Sequence, residues 1–161
     1  MKKIKYLLLA IIAFMCVNAK AQVTRQLVDY GPLCEWIERG CKPANSETVL
    51  ATLERKYKAV PSRQSLENGI LNYDNDLKTY GGRVVSMEQT TNGQVHDDWA
   101  AIMCLVTRYK RSVAKNKLAE AKSTITLLSH ELVKYCEKYG SVMTDDQKMR
   151  AKILAKLLES W

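Results

Sequence analysis

Histidine is nearly absent from this chain. There are two, His96 and His130, and neither has the neighbours that metal or acid–base chemistry requires. His130-Glu131 lacks a second histidine four residues on, the spacing zinc proteases use. In "HDDW" His96 stands beside Asp97 and Asp98, but adjacent residues do not share a helix face, and aspartates at a helix start read as caps. No C-x-x-C redox pair occurs, and no P-loop, dinucleotide fingerprint, G-x-S-x-G elbow or EF-hand loop. No cofactor is implied. Glycan hydrolysis by paired carboxylates needs no sequence signature, and Glu35, Glu38, Asp74 and Asp76, nearest to aromatic residues, are the candidates for it. Proline and glycine are also scarce, three and seven in 161 residues, and Gln94 to Tyr139 contains neither.

What is present begins with an export leader. Lys2, Lys3 and Lys5 precede an uncharged apolar run from Tyr6 to Val17, and Ala19-Lys20-Ala21 forms a small-x-small site before Gln22. That is the pattern of a signal peptide over 1–21, with a run too short to span a bilayer. Cys16 raises lipoprotein processing as a rival, but the bulky Phe14 and Met15 before it disfavour that route. Cleavage leaves one domain over 22–161, enough chain for a core, and lowers the net charge from +8 to +4. Half of the basicity is therefore targeting signal, and a charge-based case for nucleic-acid binding weakens accordingly. The expected location is the periplasm or cell surface.

Removal of the leader also leaves four of the five cysteines: Cys34, Cys41, Cys104 and Cys136. In an exported chain an even number reads as disulfides. Six residues between Cys34 and Cys41, with no histidine nearby, fit zinc poorly. All three connectivities stay open.

The periodicity predicts an all-α fold. Pro32 can open a short helix, "PLCEWIER", closed by Gly40. Asn45 or Ser46 caps a second, and Ser62 or Ser65 a third that stops at Gly81-Gly82. On the third helix Leu66, Ile70, Tyr73 and Leu77 form an apolar seam that could meet a partner. Residues 83–96 read as an irregular connection or a helical extension. Asp97 or Asp98 starts a helix carrying Trp99, Ile102, Val106, Tyr109 and Val113, and a second apolar run goes from Leu118 to Tyr135. Thr144 and Gln147 form a capping box for a short last helix bearing Met149, Ile153, Leu157 and Leu158.

Between the two central runs lies a fork. Without a breaker, residues 98–138 read as one long, continuous helix. On it Cys104 and Cys136 would stand about 48 Å apart, whereas a bond between them demands a hairpin turning near Glu120. The favoured architecture is thus an elongated bundle with one long central helix, the hairpin being the alternative.

Charge is unevenly placed. Residues 22–104 carry net −2 and residues 105–161 net +6. On a helix Arg108, Arg111, Lys115 and Lys122 form one basic stripe, a solvated face or a docking surface for an anionic partner. Nucleic acid is the weakest such partner, since Tyr109 is the one stacking ring on the stripe.

A leader ending Ala19-Lys20-Ala21-Gln22, a punctuated front third, a long Lys/Ala-rich helical stretch and a short last helix set the layout. In that layout the chain resembles small exported helical proteins of bacterial conjugative-transposon transfer operons and the minor-pilus subunits of type IV secretion systems. The resemblance carries no functional residue onto a numbered position. It implies a non-catalytic envelope component that works through contacts with other envelope or secretion-apparatus proteins. The competing class is a small disulfide-stabilised secreted enzyme, such as a carboxylate-based glycan hydrolase, or an enzyme inhibitor.

Overall fold

A computed structural model describes residues 31–86 and 93–161, with the side chains of 81–86, 93, 94 and 96 left aside. The predicted leader, Cys16 and residues 87–92 lie outside the described residues. Those described form six α-helices and no strand: α1 (Gly31–Glu38), α2 (Ser46–Lys56), α3 (Arg63–Ser86), α4 (Gly93–Ala114), α5 (Leu118–Tyr139) and α6 (Asp145–Glu159). A 3-10 turn, Pro43–Asn45, leads into α2. The fold is an all-α bundle, as the periodicity predicts.

The last helix is its centre. α6 packs against α1, α3 and α5. From Arg150 to Glu159 every residue but Lys156 is buried. A helix enclosed on all sides needs apolar residues all round, and Ala151, Ile153, Leu154, Ala155, Leu157 and Leu158 provide them. Its start is built as the sequence predicts. Thr144 Oγ1 accepts from the Gln147 N–H at 3.2 Å, and Gln147 Oε1 accepts from the Thr144 N–H at 2.9 Å. Around this axis Leu33 and Ile37 of α1, Leu53 of α2 and Tyr57 at its C-cap, Leu66 of α3, Tyr109 of α4 and Leu128 and Leu132 of α5 complete one core.

The fork resolves as a hairpin. α4 ends at Ala114, α5 begins at Leu118, and the two pack along their lengths. The reversal falls at Lys115-Asn116-Lys117, a few residues before the midpoint a Cys104–Cys136 bond would need. Asn116 takes a left-handed conformation, φ 55°, and the Lys117 N–H returns to the Ser112 carbonyl at 2.8 Å. Asparagine tolerates that conformation better than other non-glycine residues. The favoured continuous helix is therefore incorrect: helix-forming composition was outweighed by the apolar surface that two stacked helices bury against each other. The five-residue step from Val113 to Leu118 was its trace.

Two boundaries also move. α3 runs through Gly81-Gly82 to Ser86. α4 starts at Gly93, so Asp97 and Asp98 lie inside it rather than at its cap.

The turn can be tested directly. Asn116→Gly should leave stability unchanged or slightly raised, whereas Asn116→Val should cost about 1–2 kcal/mol, the penalty of a left-handed β-branched residue. Urea unfolding of the two variants checks this, and equal stabilities would contradict the turn.

Candidate functional site

Burying α6 brings charged side chains inside, and each finds a partner on a surrounding helix. Lys152, 4% exposed, donates from Nζ to Glu38 Oε2 at 2.6 Å. Lys156 meets Asp76 at 2.8 Å. The Arg150 guanidinium lies over the Trp99 ring, 4.1 Å from its centroid, and its Nη2 donates to the Tyr135 hydroxyl at 3.5 Å. An unpartnered charge inside a core would cost several kcal/mol, so these contacts fix which helices can surround α6.

Glu159 faces the first turn of α1. Its Oε1 accepts the Leu33 N–H at 2.6 Å, a carboxylate placed where a helix has free N–H groups. Gly31 makes the approach possible: a Cβ there would stand 2.6 Å from Glu159 Cδ, and its φ is +74°. Lys56 donates to the Glu159 backbone carbonyl. Burial pushes the Glu159 carboxyl up to about 7, and the Leu33 N–H only partly opposes this. Burial likewise raises the Cys34 thiol and the Tyr57 and Tyr73 hydroxyls, and pushes Tyr109 up to about 12.

At the end of the chain, Trp161 packs edge-on against Tyr57 with ring centroids 5.0 Å apart, and its Nε1 donates to the Tyr109 hydroxyl at 3.3 Å. Tyr57 in turn donates to the Leu158 carbonyl at 3.0 Å and stands 2.8 Å from Ser129 Oγ. Nothing local in the sequence marks Glu159 or Trp161 as an anchor, apart from Gly31, which a carboxylate at the helix start needs open.

The α4–α5 hairpin turns one face to α6 and leaves another outside. Along that outer face runs a groove of about 520 Å³ lined by Asp98, Ala101, Ile102, Leu105, Leu127, Glu131, Lys134, Tyr135 and Lys138. Leu127, 46% exposed, stands in its wall. Asp98 Oδ2 accepts from Tyr139 Oη at 2.6 Å and from Lys138 Nζ at 2.8 Å, which ties the helices at one end. Glu131 and Lys134 pair at 3.2 Å on the rim. An apolar floor with a charged rim is the pattern of a protein contact surface.

The residues singled out by sequence are distributed as follows. Glu35, Glu38, Asp74 and Asp76 each meet a separate cation: Arg39, Lys152, Lys110 and Lys156. The hairpin turn divides the basic stripe. Arg108 pairs with Glu120 at 3.5 Å, and Arg111 and Lys115 are exposed on the α4 side. Lys122, on α5, lies 5.9 Å from the Trp161 ring centroid. In the seam, Leu66 and Tyr73 are buried and Ile70 and Leu77 pack on the core, because α3 applies that face to α6. His130 pairs with Glu54 at 3.0 Å on the surface, and the His96 side chain is outside the described residues.

The cysteines depart from the expected disulfide framework. Cys34, Cys41 and Cys136 are buried thiols, Cys104 is an exposed one, and none is bonded. Cys34 Sγ instead donates to the Lys152 carbonyl at 3.4 Å, and the hairpin leaves Cys104 on the outside of α4. Among the described residues no three His, Cys, Asp or Glu side chains converge as metal ligands, and no helix is long and apolar enough to cross a membrane. Compared with known families, with characterised proteins and with solved structures, the chain matches none of them.

The Glu159 contact predicts a pH dependence. Its folded-state value, about 7, lies above the 4.5 of an ordinary glutamate. Between those values the folded chain holds a proton that the unfolded chain has released, so stability falls as pH rises from about 4.5 to about 7. The full loss is on the order of 3 kcal/mol. Glu159→Gln, which keeps the acceptor for Leu33, should flatten that slope and be the more stable protein at pH 7. Denaturant midpoints across pH 4–8 measure it, and an unchanged slope in the variant would contradict the assignment.

Proposed function

We propose that this protein is an exported, non-catalytic helical interaction protein, a periplasmic or envelope component of a conjugation or secretion assembly. The observation that carries the reading is the outer groove of the α4–α5 hairpin. Ile102, Leu105 and Leu127 give it an apolar floor and wall while its charges sit at the rim. A third amphipathic helix seats naturally between two antiparallel ones, with apolar residues at i, i+3, i+4 and i+7 as anchors. The leader over 1–21 adds the compartment, and the overall layout adds the class of assembly. The partner is accordingly a helical segment of a secretion-apparatus protein, read by shape and apolar burial with the rim setting register.

A photo-crosslinking residue placed at Leu127 of the full chain in its native host tests this. The expected result is discrete adducts, in the envelope fraction, with identified secretion-apparatus proteins, and none from the same probe at Thr79 on α3. Leu127→Arg should lower co-purification of that partner about tenfold, the typical effect of losing one apolar anchor. Recovery of the chain in the cytosol, or adducts equally from both positions, would contradict the proposal.

A further inference from the structure

The end of α1 is an unusual turn. Gly40 and Cys41 are both left-handed, with φ of 86° and 57°. The Gly40 N–H returns to the Ile37 carbonyl at 3.1 Å and the Cys41 N–H to the Trp36 carbonyl at 3.0 Å. Trp36 Nε1 then donates to the Lys42 carbonyl at 2.8 Å, locking the turn from its other side. Glycine adopts this conformation freely, but cysteine does so at a cost. The effect is to aim the Cys41 side chain inward while Gly40, Lys42 and Pro43 around it stay exposed.

What it meets there is the last turn of α5. A Cβ on Gly140 would lie 2.6 Å from Cys41 Cβ and 3.0 Å from Cys41 Sγ, and 2.5 Å from the Cys136 carbonyl oxygen. Only a residue with no side chain at 140 lets Cys41 come this close to the turn that holds Cys136. Both cysteines are buried, at 3% and 0% exposure, and Gly140, against which Cys41 packs, stands one helical turn after Cys136 on the same face. Contact with Cys136 holds the Cys41 thiol below its ordinary value against the opposing effect of burial, with Lys148 assisting, and the same contact with burial raises Cys136. Cys41, on the turn and the slightly more exposed of the two, is the thiol that a small disulfide reaches first. Cys34, whose thiol is turned to the Lys152 carbonyl of α6, and Cys104, on the exposed side of α4, lie outside the pair; Cys41 Sγ donates within its own turn, to the Ile37 carbonyl at 3.9 Å.

We propose that Cys41 and Cys136 are a redox-closable pair that forms a single disulfide by exchange with a small organic disulfide. The Cys41 thiolate attacks one sulfur of that disulfide, breaking its S–S bond and expelling one thiolate. The Cys136 thiolate then attacks Cys41 Sγ and expels the second. The protein loses two electrons and two protons, and the small disulfide is reduced to two thiols that carry them away. The new bond clamps the end of α1 to the end of α5 and closes a loop of about 95 residues. It requires no export, since it rests on the geometry of the two thiols, and an oxidising compartment would keep it closed.

The purified full chain, fully reduced, is equilibrated with graded ratios of oxidised to reduced glutathione, trapped with N-ethylmaleimide and mapped without reduction. The expected product is one Cys41–Cys136 peptide, with Cys16, Cys34 and Cys104 alkylated, and a melting temperature raised by roughly 5–15 °C. Cys41→Ser and Cys136→Ser should each abolish both the link and the rise. Because they remove opposite partners, either one that folds suffices as the control. Both thiols remaining alkylated at every ratio would overturn the proposal, as would glutathione adducts without closure or a link from Cys41 to Cys34 or Cys104. Failure of export in the host would leave this result unaffected, so the two proposals fail separately.

Discussion

Enclosing the last helix on every side is the constraint from which the other features follow. α6 carries charged residues along its length, yet from Arg150 to Glu159 only Lys156 keeps partial exposure. Lys152, Lys156, Arg150 and Glu159 must each be met by a group from a neighbouring helix. Those partners come from α1, α3, α4 and α5, so satisfying the charges of α6 specifies how the bundle assembles around it. Apolar burial supplies the driving force, because each fully buried leucine or isoleucine contributes about 1.5–3 kcal/mol. The paired charges mainly select one arrangement among several that would bury similar area.

The same arrangement decides which surface is left over. α1 and α3 commit their apolar faces to α6, so Leu66 and Tyr73 have no surface to offer a partner. The α4–α5 hairpin is different, because two long helices packed side by side have two faces. One closes the core through Tyr109, Ile125 and Leu128. The other keeps an apolar floor open between charged rims, and the proposed partner helix would dock on that face.

Periodicity made much of the fold legible. The helical class, the capping box at Thr144, the opening of α1 at Pro32 and its closure at Gly40 all follow from local rules about N–H satisfaction and left-handed glycine. The turn at Asn116 was hidden because its residues are good helix formers, and what breaks the helix is burial against a distant segment. Asp98 read as a cap because local sequence favours that role, while its actual partners, Lys138 and Tyr139, lie about forty residues away. The seam on α3 is apolar, as its spacing predicts, but α6 covers it, since nothing in a sequence says which apolar face meets which. Glu159 was invisible for the same reason: its significance exists only once α1 stands against it.

Native-state hydrogen exchange of the backbone amides tests the central place of α6 most directly. If the last helix is the axis on which the others assemble, the amides of residues 153–158 exchange only through global unfolding. Their protection should then equal the unfolding free energy obtained from denaturant. Exchange of α6 within minutes, while the α4–α5 hairpin remains protected, would show instead that the hairpin folds without it and that the last helix is an attachment.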